Sequence, residues 1–420
     1  MSLDFELLEN IYSELIEKID SKAISKVNDQ DLLVIFTSFV NQYCQSNHVA
    51  LSEEAHRDYA THLLHDFRGL GPIQILLDDP EVEEIIVNGY EKIYVERKGR
   101  IELTPLSFRS YQQAINVAQK IAYQANRRID EASPMVNARL ADGSRVNIVI
   151  QPITLNGITI NIRKFSVIPF TLDTLKAMNF IDERVANFVR LCVKARINIL
   201  ISGGTSSGKT TMMNILAQEI PHGERIITIE DSAELDLRLP HWVRLESREA
   251  NIEGKGAVTI QDLVINCLRM RPDRIIIGEV RGSEAFEMLK AFNTGHEGSF
   301  STIHANSAIF SFLRLENIVS TYHHSIPSLT IKEQIVSAFQ LVIHMRRTLD
   351  GQRIIQEIVG LTGMKDGEIQ TEQICNFVVS DKASDKLEGE YQMLNRLPKL
   401  AEKIIDRSIV MEMKKSFGAA

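Results

Sequence analysis

No stretch of this 420-residue chain approaches the roughly 18 uninterrupted apolar residues that a membrane-crossing helix needs. Any work at a membrane is therefore expected to go through a partner. The opening residues, MSLDFELLENIYSELIEKI, are acidic and mixed, without the positive segment and apolar run of a secretory leader. Cysteine is scarce: Cys44, Cys192, Cys267 and Cys375 are scattered, with no CxxC pair. That excludes the clustered ligands of a zinc site and the framework of a small disulfide-stapled domain. Four reduced thiols in a soluble, cytoplasmic protein are expected instead. An excess of positive charge is also missing. Against 55 Asp and Glu stand 47 Lys and Arg, a formal net charge of −8, which argues against bulk electrostatic capture of nucleic acid. There is no internal repeat and no low-complexity tract.

What is present has an ordinary globular composition, 44 % apolar and 24 % charged. The length exceeds one ordinary core and implies two or three domains. Residues 1–67 read as a helical N-terminal segment. Leu7, Leu8, Ile11, Leu15 and Ile19 recur at three- and four-residue spacing and fall on one helix face. The runs 32–44 and 52–67 repeat the pattern, the second with Ser52 as N-cap and Glu53 and Glu54 in its first turn.

The character changes at Gly69-Leu70-Gly71-Pro72. Short β-rich runs follow at 84–88, 92–97, 146–151 and 158–164, with helical material at 111–126 between them. Asn88-Gly89, Asp142-Gly143 and Asn156-Gly157 supply turn residues that tolerate positive φ. An α+β domain over 68–167 is expected, ending near Val167-Ile168-Pro169. From Thr171, apolar strands at 197–202, 225–230, 274–278 and 299–304 alternate with helices, which predicts a doubly wound α/β domain over 168–420. Beyond Leu349 the pattern predicts a hairpin around 353–361 and 373–379, then a closing helix from Leu397.

The strongest motif is Gly203-Gly204-Thr205-Ser206-Ser207-Gly208-Lys209-Thr210, which fits GxxxxGK[ST] and is followed by Thr211. An apolar strand precedes it, and the helix expected over 209–220 is closed by Pro221. Glycines let such a loop curl until several backbone N–H groups point inward, and the helix N-terminus adds a positive dipole end. Lys209 would reach the β- and γ-phosphates of a nucleotide, and the Thr210 hydroxyl would ligate Mg²⁺.

Hydrolysis also needs a positioned water. The strand 225–230 ends in Glu230 and Asp231, and a right-handed crossover would lay it near the phosphate-loop strand. Glu230 is then a candidate for orienting the attacking water, or an ordinary acidic cap, since Ser232-Ala233-Glu234 continue the chain. The strand 274–278 leads to Glu279 and suits a Walker B role, although Gly278 stands where an Asp is usual. In Thr294-Gly295-His296-Glu297-Gly298, His296 lies in a glycine-rich turn, while His304 ends the next strand. Either histidine could sense a γ-phosphate by hydrogen bonding or be a satisfied structural group.

In order, GGTSSGKTT, ITIEDSAEL, LRMRPDRIIIGEVRG and NTGHEGSFSTIHAN resemble the Walker A, Asp box, Walker B and His box of the type II/IV secretion ATPases. DDPEVEEIIVNG, ARLADGSRVN, ITINIRKF and RLESREANIEGKG are most similar to the Tad (tight adherence, Flp-type) pilus-assembly ATPases. The resemblance spans roughly residues 68–365. It implies a PAS-like domain followed by a RecA-like ATPase domain, a homo-hexameric ring, ATP and Mg²⁺, and an inner-membrane platform protein as partner. It also implies that arginines of the first domain complete the nucleotide site. Arg139, Arg145 and Arg163 stand at the matching positions, with Arg145 and Arg163 favoured over ordinary surface ion pairs. The four-cysteine zinc insert of related motors is absent from the sequence, so no metal beyond Mg²⁺ is expected. The expectation is an ATP-hydrolysing motor for pilus assembly or secretion. It would be cytoplasmic, held peripherally at the inner membrane through partners, and would not use nucleic acid. The alternatives are a RecA-type nucleic-acid translocase, a motor for conjugation or effector secretion, and a non-catalytic nucleotide-gated scaffold, the last opposed by the two candidate carboxylates.

Overall fold

The computed structural model describes residues 4–18, 27–97, 99–164, 170–178, 180–248, 250, 255–348, 350–380 and 388–417. The chain forms two compact units, 1–167 and 168–420. The expected boundary at Val167-Ile168-Pro169 lies outside the described residues, as does part of the RLESREANIEGKG phrase. The first unit includes the helices described before residue 68.

In that first unit, helices α1 (Phe5–Lys18), α2 (Asp29–Ser46) and α3 (Glu53–Phe67) bury their apolar stripes against one another around Ile11, Leu15, Phe36 and Leu63. Ser52 caps α3 by accepting from Ala55 N–H, as its position predicts. The helices meet the rest of the unit through Arg109. Its guanidinium lies 3.0 Å from both Asp66 and Glu9 and 4.0 Å above the Tyr12 ring. Burial pushes Asp66 up to about 6 despite that partner.

After α4 (Ile73–Asp78), six antiparallel strands follow: β1 (Glu84–Asn88), β2 (Lys92–Arg97), β3 (Arg100–Leu103), β4 (Met135–Arg139), β5 (Arg145–Ile150) and β6 (Ile158–Arg163). They order as β3-β2-β1-β6-β5-β4. Alternation puts Ile85, Val87, Val146, Ile148, Ile160 and Ile162 on one face, under α5 (Tyr111–Gln124). The other face carries polar rows. Asn137, Asn147 and Asn161 pair across β4, β5 and β6, and one step along so do Arg139, Arg145 and Arg163. Glu84 extends the arginine row onto β1.

The second unit is α/β, as the alternation predicts. Helices α6 (Leu172–Ala177) and α7 (Glu183–Lys194) lead to β7 (Ile199–Gly203), α8 (Lys209–Gln218), β8 (Ile226–Glu230), β9 (Trp242–Glu246) and α9 (Ile260–Cys267). Then come β10 (Arg274–Ile277), α10 (Glu284–Phe292), β11 (Phe300–His304), α11 (Ala308–Tyr322), α12 (Ser328–Ala338) and β12 (Leu341–Arg347). The sheet closes with β13 (Arg353–Lys365), β14 (Glu368–Val379) and β15 (Gly389–Met393), in the order β15-β14-β13-β12-β7-β11-β10-β8-β9. From β12 to β9 the strands are parallel.

Strand β7 explains why the central strands read as unbroken apolar runs. Ile199 and Ile201 enter the core with α7 and α8, while Leu200 enters the opposite core with α10 and α11. Each such side chain contributes about 1.5–3 kcal/mol on full burial. The strand ending in Glu230 does not adjoin the phosphate-loop strand. Strands β11 and β10 stand between them. The expected closing helix divides into a 3₁₀ turn (Lys399–Lys403) and α13 (Arg407–Ser416), broken by Ile404, Ile405 and Asp406.

Candidate functional site

Parallel strands bring their C-terminal ends to one edge, and the residues singled out above collect there. Leaving β7, Gly203 takes φ +154°, and a Cβ on it would run into the Met345 carbonyl and Ser207 Oγ. Ser206 is left-handed at φ +56°. Gly208 follows at φ +94° as the N-cap of α8, a conformation that disfavours any side chain. Gly204, by contrast, faces open space. Gly204 and Thr205 are exposed and Ser207 is buried, its hydroxyl donating to Gly204 O at 2.9 Å. Thr210 is half-buried and Thr211 exposed in the first turn of α8.

Lys209 is buried at the loop's centre, where Nζ donates to Gly203 O (3.1 Å) and Gly204 O (2.8 Å). Nζ also lies 3.4 Å from His304 Nδ1. His304 sits directly beside Gly203 in the β11–β7 register, and its Nε2 lies 3.3 Å from Glu279 Oε1. Burial and the Lys209 charge lower the His304 pKa against the pull of Glu279. A neutral ring therefore accepts from Lys209 at Nδ1, while Nε2 faces Glu279 within ion-pair distance. Three separate motifs thus meet in one line of close contacts.

Glu230 is close by but differently placed. It is 3 % exposed, and its Oε1 accepts from the backbone N–H groups of Glu234 (2.8 Å) and Leu235 (3.0 Å). Its Oε2 is buried without a hydrogen-bond partner among the described residues. Burial pushes the carboxyl up to about 7. The unusual Gly278 now has a reason. A Cβ there would lie 3.0 Å from Glu230 Cγ, so the glutamate occupies the room an Asp at 278 would need. Asp231 pairs with Arg281 just beyond Glu279.

His296 does not join this cluster. It precedes β11 by several residues and so lies at the N-terminal edge of the sheet, opposite His304. There its ring nitrogen Nδ1 donates to Ala291 O at 2.9 Å and braces a turn. Arg139, Arg145 and Arg163 belong to the first unit, aligned in a row as described above.

Sequence reading missed the back of the loop. Met345 on β12 and Arg353 on β13 close it from behind, Arg353 Nε donating to Ser206 O at 3.2 Å. Under the loop, Ser202 Oγ lies 2.8 Å from His344 Nδ1. His344 pairs across the sheet with Glu357, which accepts from Ala308 N–H at the start of α11. No local motif marks these residues, because they meet the loop only through strand order.

A strand, glycine-rich loop and helix that hold a lysine at the C-terminal edge of a parallel sheet define a P-loop α/β protein. The chain belongs to the type II/IV secretion system protein family, whose pattern matches residues 66–393. It is 30 % identical over 306 residues to the conjugal transfer protein TrbB of Rhizobium radiobacter, covering 71 % of this chain and 89 % of that one. It is 32 % identical over 303 residues to the type IV secretion system protein VirB11 of Brucella suis, covering 66 % and 84 %. Among solved structures, the Brucella suis VirB11 ATPase in complex with sulphate aligns over 68 % of this chain and 94 % of that one. It shares 30 % identity, with a TM-score of 0.38.

Proposed function

We propose that this chain is an ATP-hydrolysing, hexamer-forming motor that powers a Tad or type IV-like pilus or a type II/IV secretion machine. The observation that carries the reading is the line Lys209–His304–Glu279 beside the phosphate loop. It joins a phosphate-binding cation, a neutral imidazole and a carboxylate at the edge where a γ-phosphate would sit.

In this reading the loop N–H groups of 203–209 cradle the phosphates, and Lys209 turns from the Gly203 and Gly204 carbonyls to the β- and γ-phosphates. Among the described residues no group of three or more His, Cys, Asp or Glu could hold a metal by itself. Mg²⁺ that arrives on the nucleotide needs no such group. The half-buried Thr210 hydroxyl is a suitable hard oxygen ligand for it, and the bound ion would neutralise charge on the phosphate oxygens. Glu279 orients the attacking water, since it is the carboxylate next to His304. Glu230 is a positioning group, tied up by two backbone N–H groups. His304 reports departure of the γ-phosphate. Arg145 and Arg163, with Arg139 beside them, are the arginines that the family resemblance assigns to the nucleotide's phosphate charge. Around a ring, staggered opening would push on an inner-membrane platform protein from the cytoplasmic side.

Conjugation or effector secretion is the second reading, favoured by what the relatives TrbB and VirB11 are named for. A nucleic-acid translocase is the third, set against the formal charge of −8.

The test is mass by light scattering with and without ATP and Mg²⁺, together with ATPase activity with and without single-stranded DNA. A hexamer whose turnover ignores DNA supports the motor. A monomer or dimer activated many-fold by DNA overturns it. Lys209→Ala should abolish turnover, while Glu279→Gln should bind ATP and hydrolyse it slowly. Turnover like the wild type in both would remove the site assignment.

A further inference from the structure

The wall behind the phosphate loop comes from far along the chain. Ser206, left-handed at φ +56°, is in a conformation unfavourable for any residue with a Cβ. Its carbonyl accepts from Arg353 Nε at 3.2 Å. The stem of the same arginine runs past Gly208, where a Cβ would lie 3.3 Å from Arg353 Cδ. One side chain therefore touches the loop at its strained residue and at its exit into α8. The root of that side chain is itself held, because Arg353 pairs with Arg347 in the β12–β13 ladder.

A trans peptide is planar, with its C=O and N–H pointing in opposite directions. Holding the Ser206 carbonyl toward Arg353 therefore turns the Ser207 N–H away from the β13 wall. A curled glycine-rich loop offers such N–H groups to phosphate oxygens. A guanidinium suits this duty, since it stays charged and its donors sit in a rigid plane.

We propose that Arg353 is a positioning residue for nucleotide binding: it fixes the Ser206–Ser207 peptide so that the Ser207 N–H faces the polyphosphate of a nucleoside di- or triphosphate. The proposal rests on the nucleotide-binding reading above. Because Arg353 acts through the loop and not on the γ-phosphate, ADP and ATP should feel its loss equally.

The test titrates fluorescent ADP and ATP analogues into the full chain, as wild type, Arg353→Met, Arg353→Lys and Lys209→Ala, and measures KM and kcat alongside. Arg353→Met keeps the stem against Gly208 and removes the donor. It should weaken both nucleotides by about tenfold, the worth of one charge-assisted hydrogen bond. The loss should fall on KM and not on kcat, while the melting temperature without nucleotide stays at the wild-type value. Arg353→Lys should recover part of the affinity. Wild-type affinity in Arg353→Met overturns the proposal, as does a loss confined to kcat or a melting temperature that falls in step with affinity. Nucleotide binding that Lys209→Ala abolishes and Arg353→Met leaves intact overturns this proposal alone. Failure of the wild type to bind overturns it together with the reading it rests on.

Discussion

His304 stands between Lys209 and Glu279, with Nδ1 3.4 Å from the ammonium and Nε2 3.3 Å from the carboxylate. Each ring nitrogen faces a different motif, and a neutral ring leaves Nδ1 free to accept from the ammonium. His304→Ala should lower kcat for ATP hydrolysis by roughly 10- to 100-fold, with a smaller change in nucleotide affinity. The lowered pKa also fixes the pH behaviour. The ring takes up a proton only at a pH below its ordinary 6.5, so activity should hold through that pH and fail only on further acidification. A pH–rate profile of His304→Gln should lack that acid limb, and an unchanged limb would count against the assignment.

Glu230 should give stability a distinct pH signature. Its folded-state value of about 7 lies above the ordinary 4.5, so the folded chain keeps a proton that the unfolded chain has lost. Stability from this group is then fully present below pH 4.5 and declines as pH rises through 7, by an amount on the order of 3 kcal/mol. Glu230→Gln mimics the protonated form and should escape the decline. Thermal melts of both proteins from pH 5 to 8 should show the variant gaining on the wild type. A constant gap would mean the carboxyl titrates normally.

The two glycines that open the loop should respond in opposite ways. Gly203→Ala drives a methyl group into the Met345 carbonyl and Ser207 Oγ from a backbone with positive φ, which should cost about 1–3 kcal/mol and shift the loop. Gly204→Ala meets nothing within 4 Å and should fold and melt like the wild type. Melting curves without nucleotide decide this directly.

Arg145 and Arg163 are exposed neighbours on adjacent strands, so their loss should change stability by less than about 0.5 kcal/mol. If they complete the nucleotide site, Arg145→Ala and Arg163→Ala should each lower kcat/KM for ATP by tenfold or more. Steady-state kinetics with unchanged melting would support that role, and unchanged kinetics would return both to ordinary surface ion pairs.

The parts of this site that were legible in the sequence are those encoded locally. The glycine spacing around Lys209, the apolar strands before Glu230 and Glu279, and the Ser52 cap each depend on residues within a few positions. The two histidines were separable, since His304 ends its strand while His296 lies in the turn before it. What stayed hidden depends on strand order. Nothing local says that β11 and β10 separate β8 from the phosphate-loop strand. Gly278 shows the same limit. Its departure from the usual acidic residue is visible in the sequence, but the Glu230 side chain filling that space belongs to another strand. The arginine row shows it once more: Arg139, Arg145 and Arg163 align only through the register of β4, β5 and β6.

The contact between Ser206 and Arg353 spans 147 residues of chain. During synthesis, the glycine-rich loop therefore emerges long before the strand that backs it. A growing chain that stops short of Arg353 has the motif but lacks the support that sets its peptide. Contacts of such wide separation form slowly. Tight nucleotide capture should accordingly mark the end of folding and not its beginning, the nascent chain holding nucleotide weakly until its closing sheet is in place.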